Sequence, residues 1–162
     1  MEQEFLEIIE PVLENSEFQR LKGIAHHGLT RYDHCIRVAY GSYVISKALH
    51  LNYMQVTEAA LLHDFFIDEV KDMGPIKRLQ EHPKYALENA KKYYSLTPMQ
   101  EDIILTHMFP VTFLPPKYFE SWIVDIVDDV VAIYEKALST KRDLKPVQAM
   151  LFIFVMNFIK MF

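Results

Sequence analysis

Cysteine and glycine are scarce in this sequence. One cysteine, Cys35, and four glycines occur among 162 residues. A single cysteine excludes an intrachain disulfide framework and is typical of a protein kept in a reducing compartment. The sequence also lacks a convincing alternation of apolar and polar residues at period 2, which would predict strands. Apolar residues recur instead at helical spacing along most of its length.

Basic residues do not outnumber acidic ones. The 17 lysines and arginines stand against 22 aspartates and glutamates, which gives a formal charge of −5 and an isoelectric point near 5.8. This balance argues against binding a nucleic-acid polymer through a broad basic surface. A small phosphorylated substrate needs only a local positive charge or a metal ion, so it remains compatible with the composition.

No apolar run is long enough for a membrane span. The most apolar segment, VQAMLFIFVMNFIKMF, is shorter than the roughly 20 residues that a spanning helix needs, and Asn157 and Lys160 interrupt it. We interpret it as a buried or interface helix over about 146–161, through which two copies could form a homodimer; membrane association is the lesser alternative. The N-terminal segment lacks the basic start and apolar core of a secretory signal, so the sequence predicts a cytoplasmic protein.

Cap residues and prolines divide the chain into a series of helices. A first helix is expected over about 3–14 and a long one over about 121–138. Further helix starts are predicted after Thr30, near Thr57, at Pro83 and after Thr97. Loops are predicted at 23–29, 67–80 and 109–119. With about half of its residues apolar, the sequence predicts an all-α fold, a compact single-domain helical bundle over residues 1–162.

An apolar helical stretch, LLHDFF, carries His63 and Asp64 side by side. Burying an unpaired carboxylate is costly, so a salt bridge, a hydrogen-bonded pair or a metal ion must compensate Asp64. Other histidines and aspartates also stand in apolar helical contexts: His34, His82, His107, Asp125, Asp128 and Asp129. Imidazoles and carboxylates together are ligands for divalent Mn, Fe, Co, Ni or Zn, and the core of a helical bundle is a place where facing helices assemble them.

Each of these residues also has a simpler interpretation. A single histidine on a helix is more often a hydrogen-bonded core or surface residue than a ligand, and the helix dipole favours His50 at a helix end. His26 and His27 precede a glycine in a loop, where they face either a substrate or solvent. The three aspartates of WIVDIVDDVVAIY share one helix face, as an exposed acidic stripe would. The order of the whole set, rather than any one residue, favours a metal site.

This order resembles that of the HD-domain superfamily of metal-dependent phosphohydrolases. The family signature is a histidine, an adjacent His-Asp pair and a distant aspartate, all on helices of one all-α domain. The matching residues are His34 in YDHCIRVA, His63 and Asp64 in LLHDFF, and Asp128 in DIVDDVVAIYE. Asp128 fits the last position best, with Asp125 and Asp129 as alternatives. The resemblance covers about residues 24–136 and implies a helical bundle of the HD-domain type.

Two further histidines extend the resemblance to members that bind two metal ions. His82 in EHPKYALENA and His107 in ILTHMFP match the segments that supply additional ligands there. The pattern implies one or two divalent transition-metal ions per chain, with Asp64 bridging them where there are two. The remaining ligands then divide into two sets: His34, His63 and Asp128, and His82 and His107.

The sequence departs from the family pattern just after the His-Asp pair. Many members have Gly-Lys there, and the lysine is thought to help with phosphate, whereas this sequence has Phe66 and Ile67. Asp68, or Glu69 beside it, is the candidate to position or deprotonate the attacking water. The candidate contacts to a phosphorylated substrate are His27, Arg31 and Lys77.

The resemblance implies hydrolysis of a phosphoester or phosphoanhydride, of a nucleotide or a similar small molecule, with Asp64 and Asp68 as catalytic residues. Two alternatives remain open. The same ligand pattern resembles the HD-type diiron oxygenases, which cleave C–C or C–P bonds with O₂. A non-catalytic, metal-stabilised ligand-sensing domain would also fit, since the family lysine is missing and the C-terminal helix is apolar.

Overall fold

Helices make up most of the chain that the structure describes. This computed structural model describes residues 2–26 and 29–140, so His27 and the helix predicted over about 146–161 lie outside the described residues. The helices are α1 (Gln3–Leu13), α2 (Ser16–Gln19), α3 (Arg31–Ala48), α4 (Tyr53–Leu62), α5 (Pro75–Tyr93), α6 (Pro98–Thr106) and α7 (Phe119–Ser139). The predicted all-α fold class is confirmed. Within the described ranges, no helix is long and apolar enough to cross a membrane.

Side-chain caps explain where helices α3 and α6 begin. The Thr30 hydroxyl accepts a hydrogen bond from the backbone N–H of Asp33 and begins α3. Thr97 and Gln100 form a reciprocal capping box at the start of α6. Each cap satisfies backbone donors that the first turn of a helix leaves without a partner, so both predicted starts are confirmed.

Two other predicted helix starts are wrong. Helix α4 begins near Asn52, whose side chain accepts from the N–H of Gln55, and Thr57 lies buried inside the helix with its hydroxyl bonded to a backbone carbonyl. Helix α5 begins at Pro75 rather than Pro83, which lies within it. Either proline is compatible with the first turn of a helix, and the helix begins at Pro75. The loop predicted over 67–80 therefore ends at residue 74.

The segment predicted as a loop at 23–29 contains short regular elements. A 3-10 helix covers Arg20–Gly23, and the strands β1 (Ala25–His26) and β2 (Leu29–Thr30) pair antiparallel. Each strand has two residues, too few to show a period of 2 in the sequence. This ribbon leads the chain directly into α3.

One apolar core underlies the bundle. Helix α3 packs mainly against α4 and α7, α4 also contacts α1 and α6, and α6 contacts α5 and α7. The largest fully buried apolar side chains of the core are Phe5, Ile9, Phe18, Leu21, Tyr43, Leu61, Leu62, Phe65, Ile103 and Ile104. Burying a side chain of this size contributes about 1.5–3 kcal/mol each, so this core fixes the relative positions of the helices.

Helices α6 and α7 are joined by a loop that is fixed at both ends. The buried Asp102 carboxylate of α6 accepts hydrogen bonds from the N–H of Lys117 at 2.9 Å and from Ser121 Oγ at 2.7 Å. The Asp125 carboxylate of α7 accepts from the N–H of Phe109 at 3.2 Å. These bonds set the end of α6 against the middle of α7.

Helices α3 and α7 approach each other closely at Gly41. A Cβ atom at this position would lie 2.9 Å from Val127 Cγ1, closer than side chains tolerate. Glycine is therefore required for this separation of the two helices, and Val127 is β-branched and stiff, so it cannot easily move aside. The residue after it, Asp128, belongs to the buried polar cluster described below.

We predict that Gly41→Val destabilises the protein by forcing α3 and α7 apart. The free energy of unfolding should fall by about 1–3 kcal/mol, the usual cost of overpacking a core. Denaturant unfolding of the parent and the variant measures this change. Gly23→Val is the matched control, because no atom lies within 4 Å of a Cβ there. Val127→Ala should restore part of the loss when combined with Gly41→Val, and additive effects would contradict the clash.

Candidate metal centre

The structure brings six buried side chains from three helices and the ends of two others into one cluster. His34 lies in the first turn of α3, and His82 and Asp128 lie within α5 and α7. His63 ends α4, with Asp64 next to it, and His107 ends α6. The cluster contains the six residues that the sequence predicts as metal ligands: His34, His63, Asp64, His82, His107 and Asp128.

One half of the cluster surrounds Asp128. Its Oδ1 lies 2.8 Å from His34 Nε2 and 3.5 Å from His63 Nε2. The donor atoms of His34, His63 and Asp64 lie within 4.8 Å of one another, a spacing that allows one ion to contact all three. This half joins α3, the end of α4 and α7.

The other half surrounds Asp64. Its Oδ1 lies 3.2 Å from His82 Nε2 and 3.7 Å from His107 Nε2, and the two Nε2 atoms are 2.9 Å apart. These three residues also form a group whose donor atoms lie within 4.8 Å of one another. Asp64 therefore belongs to both halves.

Two helix ends orient His63 and His107 in the same way. His63 Nδ1 donates to the Ala60 carbonyl at 2.7 Å, and His107 Nδ1 donates to the Ile104 carbonyl at 2.8 Å. Each acceptor is a carbonyl of the last turn, which the helix itself leaves without a partner. A carbonyl oxygen only accepts, so Nδ1 carries a proton, and whenever the ring is neutral its lone pair is on Nε2. In both residues Nε2 points into the cluster.

The other two histidines are held at Nδ1 as well. His82 Nδ1 donates to the Arg78 carbonyl at 3.0 Å. His34 Nδ1 lies 2.9 Å from Glu135 Oε2, a carboxylate oxygen two helical turns beyond Asp128 on α7. All four imidazoles thus present Nε2 to the cluster, the arrangement that metal-ligating histidines show when the other nitrogen is hydrogen-bonded.

The polar atoms facing the middle of the cluster are poorly satisfied by protein groups alone. His63 Nε2 and Asp64 Oδ1 are buried without a hydrogen-bond partner. His82 Nε2 and His107 Nε2 face each other at 2.9 Å, and because Nδ1 of each ring donates to a backbone carbonyl, two neutral rings would have no proton between these nitrogens. Two nitrogens bound at about 2.1 Å and a right angle to one six-coordinate metal would lie about 3.0 Å apart, close to the 2.9 Å found here. The donor set therefore fits a divalent cation.

Electrostatics keep the carboxylates ionised. Burial by itself would raise the pKa of Asp64, but His82, His63 and Arg31 outweigh it and hold the pKa well below its ordinary range. Burial likewise opposes ionisation of Asp128, and His63 and His34 overcome it, so its pKa is also lowered. Both carboxylates are in the form that binds a cation.

The pKa values of His107 and His34 are shifted in opposite directions by their surroundings. Burial lowers the pKa of His107 to about 3, helped by the neighbouring His63 and His82, so His107 is neutral. For His34, burial also favours the neutral ring, but its hydrogen bonds to Asp128 and Glu135 raise its pKa to about 10. His34 is therefore hydrogen-bonded to two carboxylates, whereas His107 Nε2 lies 3.7 Å from one, that of Asp64.

Arg31 lies beside the cluster rather than in solvent. Its Nη1 donates to the Phe66 carbonyl at 2.6 Å, its guanidinium carbon stacks 3.6 Å from the centre of the Phe66 ring, and its Nε lies 3.6 Å from Asp64 Oδ2. Arg31 thus partners one oxygen of Asp64 and leaves Oδ1 to the histidines. Its predicted contact with substrate stays a prediction.

The other residues predicted for catalysis or substrate binding are not brought into the cluster. Asp68 is exposed and lines a cavity of about 390 Å³ together with Arg20 and Lys92, and none of the six cluster residues lines that cavity. Glu69 accepts from the Asn89 side chain at 2.6 Å. Lys77 is exposed in the first turn of α5. The roles of Asp68 and Lys77 stay predictions, and His27 lies outside the described residues.

The two alternative aspartates on α7 lie elsewhere. Asp129 is exposed, and Asp125 is bonded to the N–H of Phe109. Sequence analysis missed Glu135, which is 1% exposed and contacts His34. Its position seven residues after Asp128 places it on the same face of α7, and that spacing could have identified it.

Comparisons of the chain with models of known protein families, with curated proteins and with solved structures give no match. The candidate site therefore depends on the geometry and chemistry of these side chains. The resemblance to the HD-domain superfamily stays a prediction from the sequence.

We predict that Asp64→Ala removes every tightly bound transition-metal ion, because Asp64 contributes to both halves of the cluster. Elemental analysis of protein purified without oxygen or chelators, and then reloaded with Mn²⁺, Co²⁺ or Fe²⁺, measures the ions per chain. Asp68→Ala is the matched control and should keep the parent stoichiometry, since Asp68 lines a different cavity. Equal metal content in parent and Asp64→Ala would contradict the site.

A second prediction concerns Asp125 and pH. Burial, together with the charge of Asp129, raises the pKa of Asp125 from 3.8 to about 7 in the folded protein. The folded state therefore keeps a proton that the unfolded chain loses near pH 3.8. The free energy of unfolding falls as the pH rises through the window from 3.8 to about 7, and it levels off above that window. Asp125→Asn should remove this fall, while its amide oxygen still accepts from the N–H of Phe109.

Thermal unfolding of the metal-free protein at both edges of the window measures the effect. The parent should lose more stability than Asp125→Asn between the acidic and the alkaline edge. Identical changes in the two proteins would show that Asp125 titrates normally in the fold.

Proposed function

We propose that this protein is a metal-dependent phosphohydrolase with a binuclear metal centre, acting on a phosphoester or phosphoanhydride of a nucleotide or a similar small molecule. The observation that carries the proposal is the cluster itself. Four imidazoles present Nε2, and two ionised carboxylates lie among them in a buried site. This donor set suits Mn, Fe, Co, Ni or Zn rather than Mg or Ca, which prefer oxygen ligands.

The position of Asp64 supports two ions rather than one. It shares one group of donor atoms with His34 and His63 and another with His82 and His107. The six donors do not form one group whose atoms all lie within 4.8 Å of one another; they fall into three overlapping groups of three, which two ions could share. Two cations, one in each of the two groups that contain Asp64, would compensate the buried charge of that residue.

Divalent ions in these positions would supply an acidified water nucleophile at neutral pH and positive charge for the phosphate oxygens. The protein residues do the rest. The helix ends at His63 and His107 and the hydrogen bonds at Nδ1 hold the ligands in fixed orientations, and Arg31 holds Asp64. Asp128 has the most exposed side chain of the ion-paired cluster residues, at 11%, so a substrate would enter from its side.

The chain has a net charge of −5, and few cationic side chains of the described residues lie near the cluster. Arg31 is buried beside Asp64, whereas Lys77 is exposed on α5. Recognition of a phosphate group would therefore depend on the metal ions more than on a basic pocket. This favours a small substrate whose phosphate reaches the centre directly.

We predict that the metal-loaded parent hydrolyses at least one member of a panel of nucleotides, sugar phosphates and aryl phosphates. His107→Ala should lower kcat by about 100-fold or more, because losing a metal ligand should cost at least as much activity as losing a residue that orients one. Phosphate release measures the rate. Lys84→Ala is the control, since Lys84 pairs with Glu81 at the surface. Absence of turnover across the panel by protein carrying two ions would contradict the hydrolase.

The same assay tests two further points. Asp68→Asn should lower kcat without loss of metal if Asp68 handles the water, and unchanged kcat would remove it from the mechanism. Iron as the natural metal, with O₂ consumed and no phosphate released, would establish the oxygenase alternative instead.

A further inference from the structure

Glu135 is a buried carboxylate that the predicted ligand set does not include. It lies on α7 with 1% of its surface exposed. Its Oε2 is 2.9 Å from His34 Nδ1, and its Oε1 is 3.4 Å from Arg37 Nη1. Arg37 is 41% exposed at its side chain, so it keeps much of its hydration and His34 is the closer and more buried partner.

This contact distinguishes His34 from the other three histidines of the cluster. Their Nδ1 atoms donate to neutral backbone carbonyls of their own helices, those of Ala60, Arg78 and Ile104. His34 instead donates to an ionisable side chain on a different helix. Helix α7 thus supplies a carboxylate to each side of the His34 ring, Asp128 at Nε2 and Glu135 at Nδ1.

A buried carboxylate is costly unless it is paired, so the fold alone gives no reason to have a glutamate here. An apolar side chain of similar volume would pack between α3 and α7 without that cost. The carboxylate has a chemical effect that an apolar residue lacks. A negative acceptor on Nδ1–H fixes the ring orientation, keeps the proton on Nδ1 and makes Nε2 a stronger donor to a metal.

We propose that Glu135 is a positioning residue for the metal centre, which holds the Nδ1–H of His34 and so strengthens the ion bound on the His34, His63 and Asp128 side. The proposal rests on the proposed metal centre but not on its hydrolytic activity. Glu135 contacts none of the residues of the His82 and His107 side, so the ion there should be little affected. The consequence is an asymmetric centre, with one ion whose affinity depends on α7 and one whose affinity does not.

The test measures metal affinity rather than turnover. Parent and Glu135→Gln protein are titrated with Co²⁺ against a chromophoric chelator, and the visible absorption of the bound cobalt is followed. Glutamine keeps the size and an acceptor oxygen but loses the charge. One of the two ions should bind about 10–100-fold more weakly, the range that loss of such a partner typically costs, and the other should stay within a few fold of the parent.

Two further variants make the result specific. Glu135→Asp keeps the charge, whereas Glu135→Leu keeps neither the charge nor an acceptor oxygen. The aspartate variant should therefore bind Co²⁺ more tightly than the leucine variant. If the leucine variant does not fold, the comparison of Glu135→Gln with the parent is sufficient. Glu58→Gln is the matched control, because Glu58 accepts from Gln100 at 2.7 Å on another part of the molecule and should leave both affinities unchanged.

Parent-like affinity for both ions in Glu135→Gln would overturn the proposal. An equal loss at both sites would do the same, because it would show a general structural role. If the parent itself bound no metal, the centre and this proposal would fall together. Two ions with the expected asymmetry but no hydrolysis of any phosphate compound would leave Glu135 in place and remove only the hydrolase.

Discussion

The burial of an ionised Asp64 is the constraint on which the rest of the site depends. An unpaired carboxylate in a protein interior costs several kcal/mol, so the fold must surround it with positive charge or donors. Arg31 lies against Oδ2, while His82 and His107 face Oδ1. Because Oδ1 still lacks a hydrogen-bond partner among the described residues, these protein groups satisfy the carboxylate only in part. A cation bound beside Oδ1 would satisfy the rest of the carboxylate.

Ordinary features of helices produce this geometry. Ending α4 and α6 at a histidine leaves free carbonyls one turn back, and each ring donates to one of them, which fixes its tautomer without any dedicated partner. Gly41 lets α3 approach α7 closely, and this approach lets His34 reach carboxylates on the facing helix. The site is therefore built on rigid elements packed around one core, which is the arrangement that holds ligands most accurately.

Much of this could be predicted from the sequence, and the failures have physical causes. Cap residues located the starts of α3 and α6. Polar residues in apolar helical contexts gave eight candidates, and the resemblance to the HD-domain superfamily selected the six members of the cluster from them. The choice between Pro75 and Pro83 as a helix start was missed because both are compatible with a first turn, and tertiary packing decides. Asp68 lies between α4 and α5, outside any helix, where no helical periodicity predicts the direction of its side chain. The pairing of Glu135 with His34 joins residues far apart in the chain, which local patterns do not encode.

A network of protonated histidines is the main alternative to a metal ion, and it explains one half of the cluster better than the other. Around Asp128, raised pKa values of His34 and His63 would allow imidazolium–carboxylate pairs. Around Asp64 the same explanation needs His82 to carry a proton on both nitrogens. The pKa of His107 is lowered to about 3, so its ring stays neutral and its Nε2 can only accept. A single Nε2–H on His82 would then have to serve both His107 Nε2, 2.9 Å away, and Asp64 Oδ1, 3.2 Å away. A cation between these atoms would satisfy both at once. The His82 and His107 side therefore argues most strongly for a metal, although it is the part of the ligand set that the minimal His-Asp signature omits.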